Sequence, residues 1–163
     1  MFKAIKNNMT LMAALGLLVL PGTSHAVSNS IIGTQVVGSI NGGGSSMTSG
    51  LAGGIFNLYY QGRLSRSSAI IAQFQSDPNF SVYGAAYKSY IGNKHYTNAP
   101  YWKLGASIYD QGSLNNATTA DVGVGYDFTI SRNLIFGIDG TFSTSLNSGG
   151  SVTYFGFNIG YGF

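Results

Sequence analysis

The sequence predicts an all-β fold, an eight-stranded antiparallel up-and-down transmembrane β-barrel. Three observations predict it. The first is a period of two: in "ADVGVGYDFTISRNLIFGIDGTFS", Ala120, Val122, Val124, Tyr126, Phe128 and Ile130 fall on one face and Asp121, Gly123, Gly125, Asp127 and Thr129 on the other. After Ser131-Arg132-Asn133 the alternation resumes, with Leu134, Phe136, Ile138 and Phe142 opposite Gly137, Asp139, Thr141 and Ser143. Two such runs around a short polar break make a hairpin. The second is a shortage of charge: 8% of the 163 residues are charged and none is Glu, against about 25% in soluble domains. The third is length, since most of the strand candidates run to about ten residues, enough for a tilted strand to cross the hydrocarbon.

Residues 1–26 read as a secretory signal peptide, followed by a barrel domain over 27–163. Lys3 and Lys6 form a basic n-region, "MTLMAALGLLVL" a short apolar core, and Pro21-Gly22 its break. Small residues at Ser24 and Ala26 place cleavage between Ala26 and Val27. The apolar run is shorter than the roughly 20 residues of a spanning helix. Without this segment six basic residues face five Asp, so the basic pI is no argument for nucleic acid, and no basic stripe is present to neutralise phosphates. An exported chain with too few charges for a wetted surface, and no spanning helix, closes a sheet and turns its apolar face to lipid.

The strands follow in order. Ile31–Ile40 is the first, and the Gly/Ser-rich "NGGGSSMTSG" leaves it. Leu51–Gln61 is the second, with Phe56, Leu58 and Tyr60 on one face and Ile55, Asn57, Tyr59 and Gln61 on the other. A turn near "GRLSRS" leads to Ser68–Gln75, and "SDPN" places Pro at a favoured turn position before Ser81–Ile91. "GNKHYTNAP" leads to Tyr101–Asp110, where Trp102, Leu104, Ala106 and Ile108 share a face with Lys103 and Ser107 opposite. "QGSLNNATT" precedes the hairpin first quoted, "NSGG" follows it, and Ser151–Phe163 is the eighth strand. Eight is even, so both termini meet at one end, and side chains can fill so small a barrel. The apolar face carries Phe56, Tyr60, Phe74, Tyr83, Tyr87, Trp102, Tyr126, Phe128, Phe136, Phe142, Phe155, Phe157 and Tyr161, several near strand ends as an interfacial girdle requires.

The end of the chain carries a family resemblance. Phe155, Phe157, Ile159, Tyr161 and Phe163 alternate up to a terminal aromatic. The chain thereby resembles, over Asn29 to Phe163, the small eight-stranded outer-membrane β-barrel proteins of Gram-negative bacteria, the OmpA transmembrane domain and OmpX-like group. The resemblance implies that Ile159, Tyr161 and Phe163 form an insertion signal for the barrel-assembly machinery. Tyr161 and Phe163 match that group's hydrophobic positions, whereas Asn158 stands where Gly is expected and Gly156 where a polar residue is. It also implies an outer-membrane location with lipid as the principal partner. The C-terminus, "LSRS", "GNKHYTNAP" and "SRN" are then periplasmic, and the other connections, almost free of charge, face outward.

Chemistry has few places to reside. By parity Arg63, Lys88, Lys103, Asp121, Asp127 and Asp139 point to the polar lumen, with Arg63 alternatively at the periplasmic rim; Lys103 and Asp127 fall at similar heights on adjacent strands. A charge network filling a narrow barrel is favoured over a selectivity filter or proton path, because desolvated charges need partners. His95, the one histidine of the mature chain, falls in a periplasmic connection with no partner acid, so no catalytic residues are assigned. No metal or cofactor is expected: Cys is absent and the Asp residues are scattered. The expected role is a non-enzymatic structural or envelope barrel. A narrow solute pore is the alternative, and an adhesion or host-interaction barrel, whose mark would be long outer loops, comes after it. The sequence sets no oligomeric state; a monomer is the expectation.

Overall fold

The computed structural model describes residues 29–43, 55–76, 81–92, 98–110, 116–131, 133–147 and 149–163. The proposed cleavage site at Ala26 and Val27, and His95, Lys94 and Arg132, lie outside them. Eight strands form one sheet: β1 (Ser30–Gly43), β2 (Ile55–Arg63), β3 (Ser68–Ser76), β4 (Ser81–Tyr90), β5 (Ala99–Asp110), β6 (Ala117–Thr129), β7 (Leu134–Ser145) and β8 (Ser151–Gly162). Each pairs antiparallel with its sequence neighbours, and β1 pairs antiparallel with β8, so the sheet closes into a barrel in chain order. Closure removes the sheet edges that would leave backbone groups unpaired in lipid. Ser30 and Phe163 exchange backbone hydrogen bonds at 3.3 and 2.9 Å, which sets both ends of the described chain on one rim, the terminal rim. The ends of β2, β4 and β6 share that rim; those of β1, β3, β5 and β7 lie at the far rim.

The strands outrun the alternation at several ends. β1 continues through Asn41-Gly42-Gly43, which the composition assigns to a loop, and pairs with β8 past a register shift between Ser39 and Asn41. β6 starts at Ala117 and β7 runs to Ser145. These extensions are made of Asn, Gly, Ala, Thr and Ser, which carry no alternation of apolar and polar residues for a period-two reading to find. The far-rim turn between β7 and β8 contains Gly149 and Gly150 at φ of 68° and 106°, a conformation that side-chain-bearing residues rarely adopt.

The faces are sorted as lipid requires. On β6, Val122 and Val124 are 50% and 65% exposed, while Asp121 and Asp127 are 8% and 2% exposed. The apolar face is outside, and the carboxylates are inside. Outward aromatics meet across strands: Tyr87 with Trp102 at 5.6 Å, Phe74 with Tyr83 at 5.3 Å, and a row from Tyr126 through Phe128 and Phe136 to Phe157. The side chain of Phe56 lies outside the described set.

Candidate functional site: the barrel lumen

The inward positions stack in layers along the axis. Near the terminal rim, Ile31, Tyr59, Ala69, Tyr90, Ala99, Tyr101 and Ile135 form one buried cluster. Near the far rim, Val37, Val82, Tyr109, Ala117 and Val152 form another, with Tyr154 packed on it. Between them lie three buried carboxylates, each held by a different set of donors.

Asp127 is nearest the terminal rim. Its Oδ2 accepts from Lys88 Nζ at 2.5 Å and from Tyr90 OH at 2.5 Å. Lys88 Nζ also donates to Gln61 Oε1 at 3.2 Å and lies 3.7 Å from the centre of the Tyr101 ring. A buried ammonium is tolerable only when so surrounded. Asp139, further in, accepts from Lys103 Nζ on one oxygen and from Gln35 Nε2 at 2.8 Å on the other. Gln35 Oε1 in turn accepts from Asn57 Nδ2 at 3.5 Å. Asp121, nearest the far rim, has hydroxyl donors: Ser107 at 2.6 Å, Thr119 at 2.8 Å and Ser143 at 2.5 Å. Ser143 Oγ also lies 2.6 Å from Tyr154 OH.

The lumen thus gathers Lys88, Lys103, Asp121, Asp127 and Asp139. The pairing differs from the sequence expectation. Lys103 goes to Asp139, not Asp127, and Lys88 on β4 reaches past β5 to Asp127. The register explains it: Lys103 stands opposite Gly123, whereas Asp127 stands opposite Ala99, four residues along β5, so Lys103 and Asp127 are not at one height. Arg63 stays at the terminal rim, half-buried, with Nε donating to Ser65 O at 2.8 Å.

Sequence reasoning placed Tyr59 on the face of Asn57 and Gln61 but did not single out the other inward tyrosines. Tyr59, Tyr90, Tyr101, Tyr109 and Tyr154 fill the lumen. The available signal was parity with Lys88 on β4, with Lys103 and Ser107 on β5 and with Asn158 on β8. Glycines opposite them make the room. A Cβ on Gly125 would stand 2.5 Å from the Tyr101 ring, and one on Gly137 would stand 2.6 Å from Asp127 Oδ1.

The space left is small. The lumen holds a cavity of about 60 Å³ lined by residues that include Gln35, Lys103, Asp139 and Thr141, room for a few waters. Four buried polar atoms have no hydrogen-bond partner among the described residues: Asn57 Oδ1, Gln75 Nε2, Asp127 Oδ1 and Thr141 Oγ1. No group of three metal-ligating side chains occurs among those residues.

No protein-family model matches the sequence, and no curated protein does. Solved structures do match. The N-terminal β-barrel domain of Pseudomonas aeruginosa OprF is 12% identical with a TM-score of 0.58, over 82% of this chain and 98% of that one. The Yersinia pestis outer-membrane protein Ail, solved in a phospholipid bilayer nanodisc, is 18% identical with a TM-score of 0.51, over 83% and 99%. Ail bound to the heparin analogue sucrose octasulfate is 17% identical with a TM-score of 0.50, over 83% and 97%. At these identities the likeness concerns the fold, and in fold this chain is an eight-stranded barrel of the outer-membrane type.

Proposed function

We propose that the protein is a non-enzymatic integral outer-membrane barrel with a structural, envelope-maintaining role and a filled lumen. One observation carries this reading: the cavity that runs from Tyr59 and Tyr101 of one packed layer to Tyr109 and Tyr154 of the other has a volume of about 60 Å³. A solute pathway needs a continuous aqueous bore, which larger barrels have and eight strands leave little room for. The buried carboxylates are held by lysines, amides and hydroxyls, and among the described residues no histidine stands beside the serine hydroxyls that Asp121 accepts from. The outward aromatic and aliphatic band supports lipid as the principal partner. Under this reading residues 1–26 are the export signal, the terminal rim is periplasmic, and Ile159, Tyr161 and Phe163 serve the barrel-assembly machinery.

The narrow-pore alternative is favoured by the four unpaired polar atoms along the lumen, since water there would satisfy them. An adhesion role is less supported. Ail is an attachment invasion locus protein solved with a polysulfated ligand, but here the sequence segments 44–54, 77–80, 111–115 and 146–150, which join strands whose described ends lie at the far rim, contain neither Lys nor Arg to meet a polyanion.

Ion conductance of the refolded protein in a planar bilayer separates the first two readings, after heat-modifiable gel mobility has established folding. The structural reading expects silence. Steady unitary currents would overturn it in favour of a pore.

A further inference from the structure

The formal charges of the chain are sorted along the barrel axis. Lys88 and Lys103 are consumed in the lumen with Asp121, Asp127 and Asp139. Among the described residues the acid that remains, Asp110, ends β5 at the far rim. The basic residues that remain, Arg63 at the end of β2 and Arg66 in the turn after it, lie at the terminal rim. Among the described residues the terminal rim is therefore the cationic one.

At the cationic rim the β2–β3 turn builds a concavity. Arg63, Arg66, Leu64, Tyr60 and Ser30 line an open surface cavity of about 530 Å³. The turn that carries it is braced by hydrogen bonds. Leu64 N and Ser65 N donate to Ser68 O at 2.9 and 3.1 Å, Ser65 Oγ and Ser68 Oγ lie 2.7 Å apart, and Arg63 Nε is held on Ser65 O. Tyr60 OH lies 2.9 Å from Ser30 Oγ. Between the two arginines Leu64 is 60% exposed. A large aliphatic side chain held out beside two guanidiniums, at the edge of a lipid-facing band, matches a ligand that has both a phosphate and hydrocarbon.

We propose that Arg63 and Arg66, with Leu64 between them, form a headgroup site for an anionic phospholipid in the leaflet at the terminal rim. This inference rests on the membrane reading above. The guanidiniums recognise the phosphodiester by charge-assisted hydrogen bonds, and Leu64 and the Tyr60 ring meet the glycerol and upper acyl chain. No aspartate lies among the described residues of this turn, so a net-negative headgroup adds no repulsion. A zwitterionic headgroup brings its own cation towards two arginines. Leu64 distinguishes a lipid from a free phosphate, which would gain nothing from it.

The test uses the full chain refolded into nanodiscs of equimolar phosphatidylglycerol and phosphatidylethanolamine, with retained lipid read by native mass spectrometry. Wild type is expected to retain phosphatidylglycerol over phosphatidylethanolamine by about fivefold or more, the scale of one arginine near an anionic surface. The variant R63Q/R66Q is expected to fall to near parity while keeping its heat-modifiable mobility. A folded wild type without preference, or a folded double variant that keeps the preference, overturns the site. So does enrichment that added inorganic phosphate abolishes, because the ligand is then the free anion. A wild-type chain that shows no heat-modifiable folding in lipid overturns the membrane reading itself, a different result from a folded barrel with no preference.

Discussion

Lys88 on β4 reaches past β5 to place its Nζ 2.5 Å from Oδ2 of Asp127 on β6. Both side chains are almost fully buried, at 4% and 2% exposure. Removing one charge strands the other inside the barrel. Asp127→Asn is therefore expected to cost about 3–5 kcal/mol of folding stability. The double variant K88M/D127N is expected to recover most of that loss, because neither charge then remains. Urea titration of the protein refolded in lipid reads both. A single variant that unfolds at the wild-type midpoint would remove the pair from the account of the lumen.

The second lysine discriminates between the two pairings. A double-mutant cycle with Lys103→Met and Asp139→Asn is expected to give a coupling of about 1 kcal/mol or more, in the range of directly contacting partners. The same cycle with Lys103 and Asp127 is expected to give a clearly smaller value. Equal couplings would return Asp127 to Lys103 and contradict the arrangement described above.

Room for Tyr101 depends on the strand opposite. A Cβ at Gly125 meets both the Tyr101 ring and the backbone oxygen of Ile138 at 2.5 Å, and a carbonyl in a β-ladder cannot yield as a flexible side chain does. Gly125→Ala is expected to destabilise the barrel by about 1–3 kcal/mol through overpacking. Gly140→Ala is the control: its Cβ would point outward, no nearer than 3.5 Å to the Phe155 ring. Thermal unfolding of the two variants side by side checks the contrast, and equal melting temperatures would count against a packed lumen.

How much of this was legible in the sequence depends on the kind of signal. The two faces of β6 and β7 were readable because Val122, Val124 and Phe136 alternate with Asp121, Gly137 and Asp139 over a full crossing. The strand ends at Gly43, Ala117 and Ser145 were not, because small and polar residues there break the alternation of apolar and polar side chains. Parity also brought Lys88, Lys103 and the three aspartates to one face. It had no means of choosing Asp139 over Asp127, since that choice depends on the β5–β6 register, which sets Asp127 opposite Ala99 and not Lys103. The inward tyrosines other than Tyr59 were hidden for another reason: an aromatic suits lipid and lumen alike, and only the glycines facing it reveal that space was left.

The outward band makes its own prediction. Phe157 is 57% exposed on β8 and stacks with Phe136. Phe157→Arg is expected to cost about 2–4 kcal/mol if the residue lies near the bilayer midplane. Reversible unfolding from liposomes measures it. A neutral outcome would mean that this flank does not face hydrocarbon.

Assembly is tested at the last residue. Phe163 is 52% exposed, so a charge there removes no buried contact. Phe163→Asp is expected to lower the amount of folded barrel in cells severalfold while leaving refolding of the purified chain into detergent nearly unchanged. Normal cellular levels would remove the terminal aromatic from the insertion signal.

The paired hydrogen bonds between Ser30 and Phe163 make the ring seamless, and a ring has no privileged starting point. A short linker across these neighbouring ends, with new ends opened at the Gly149-Gly150 turn, would give a circular permutant with the same eight-strand cycle. Phe163 would then sit in the interior of the polypeptide while keeping its place on the barrel wall. Such a permutant distinguishes an aromatic that matters for where it stands in space from one that matters for being last in line.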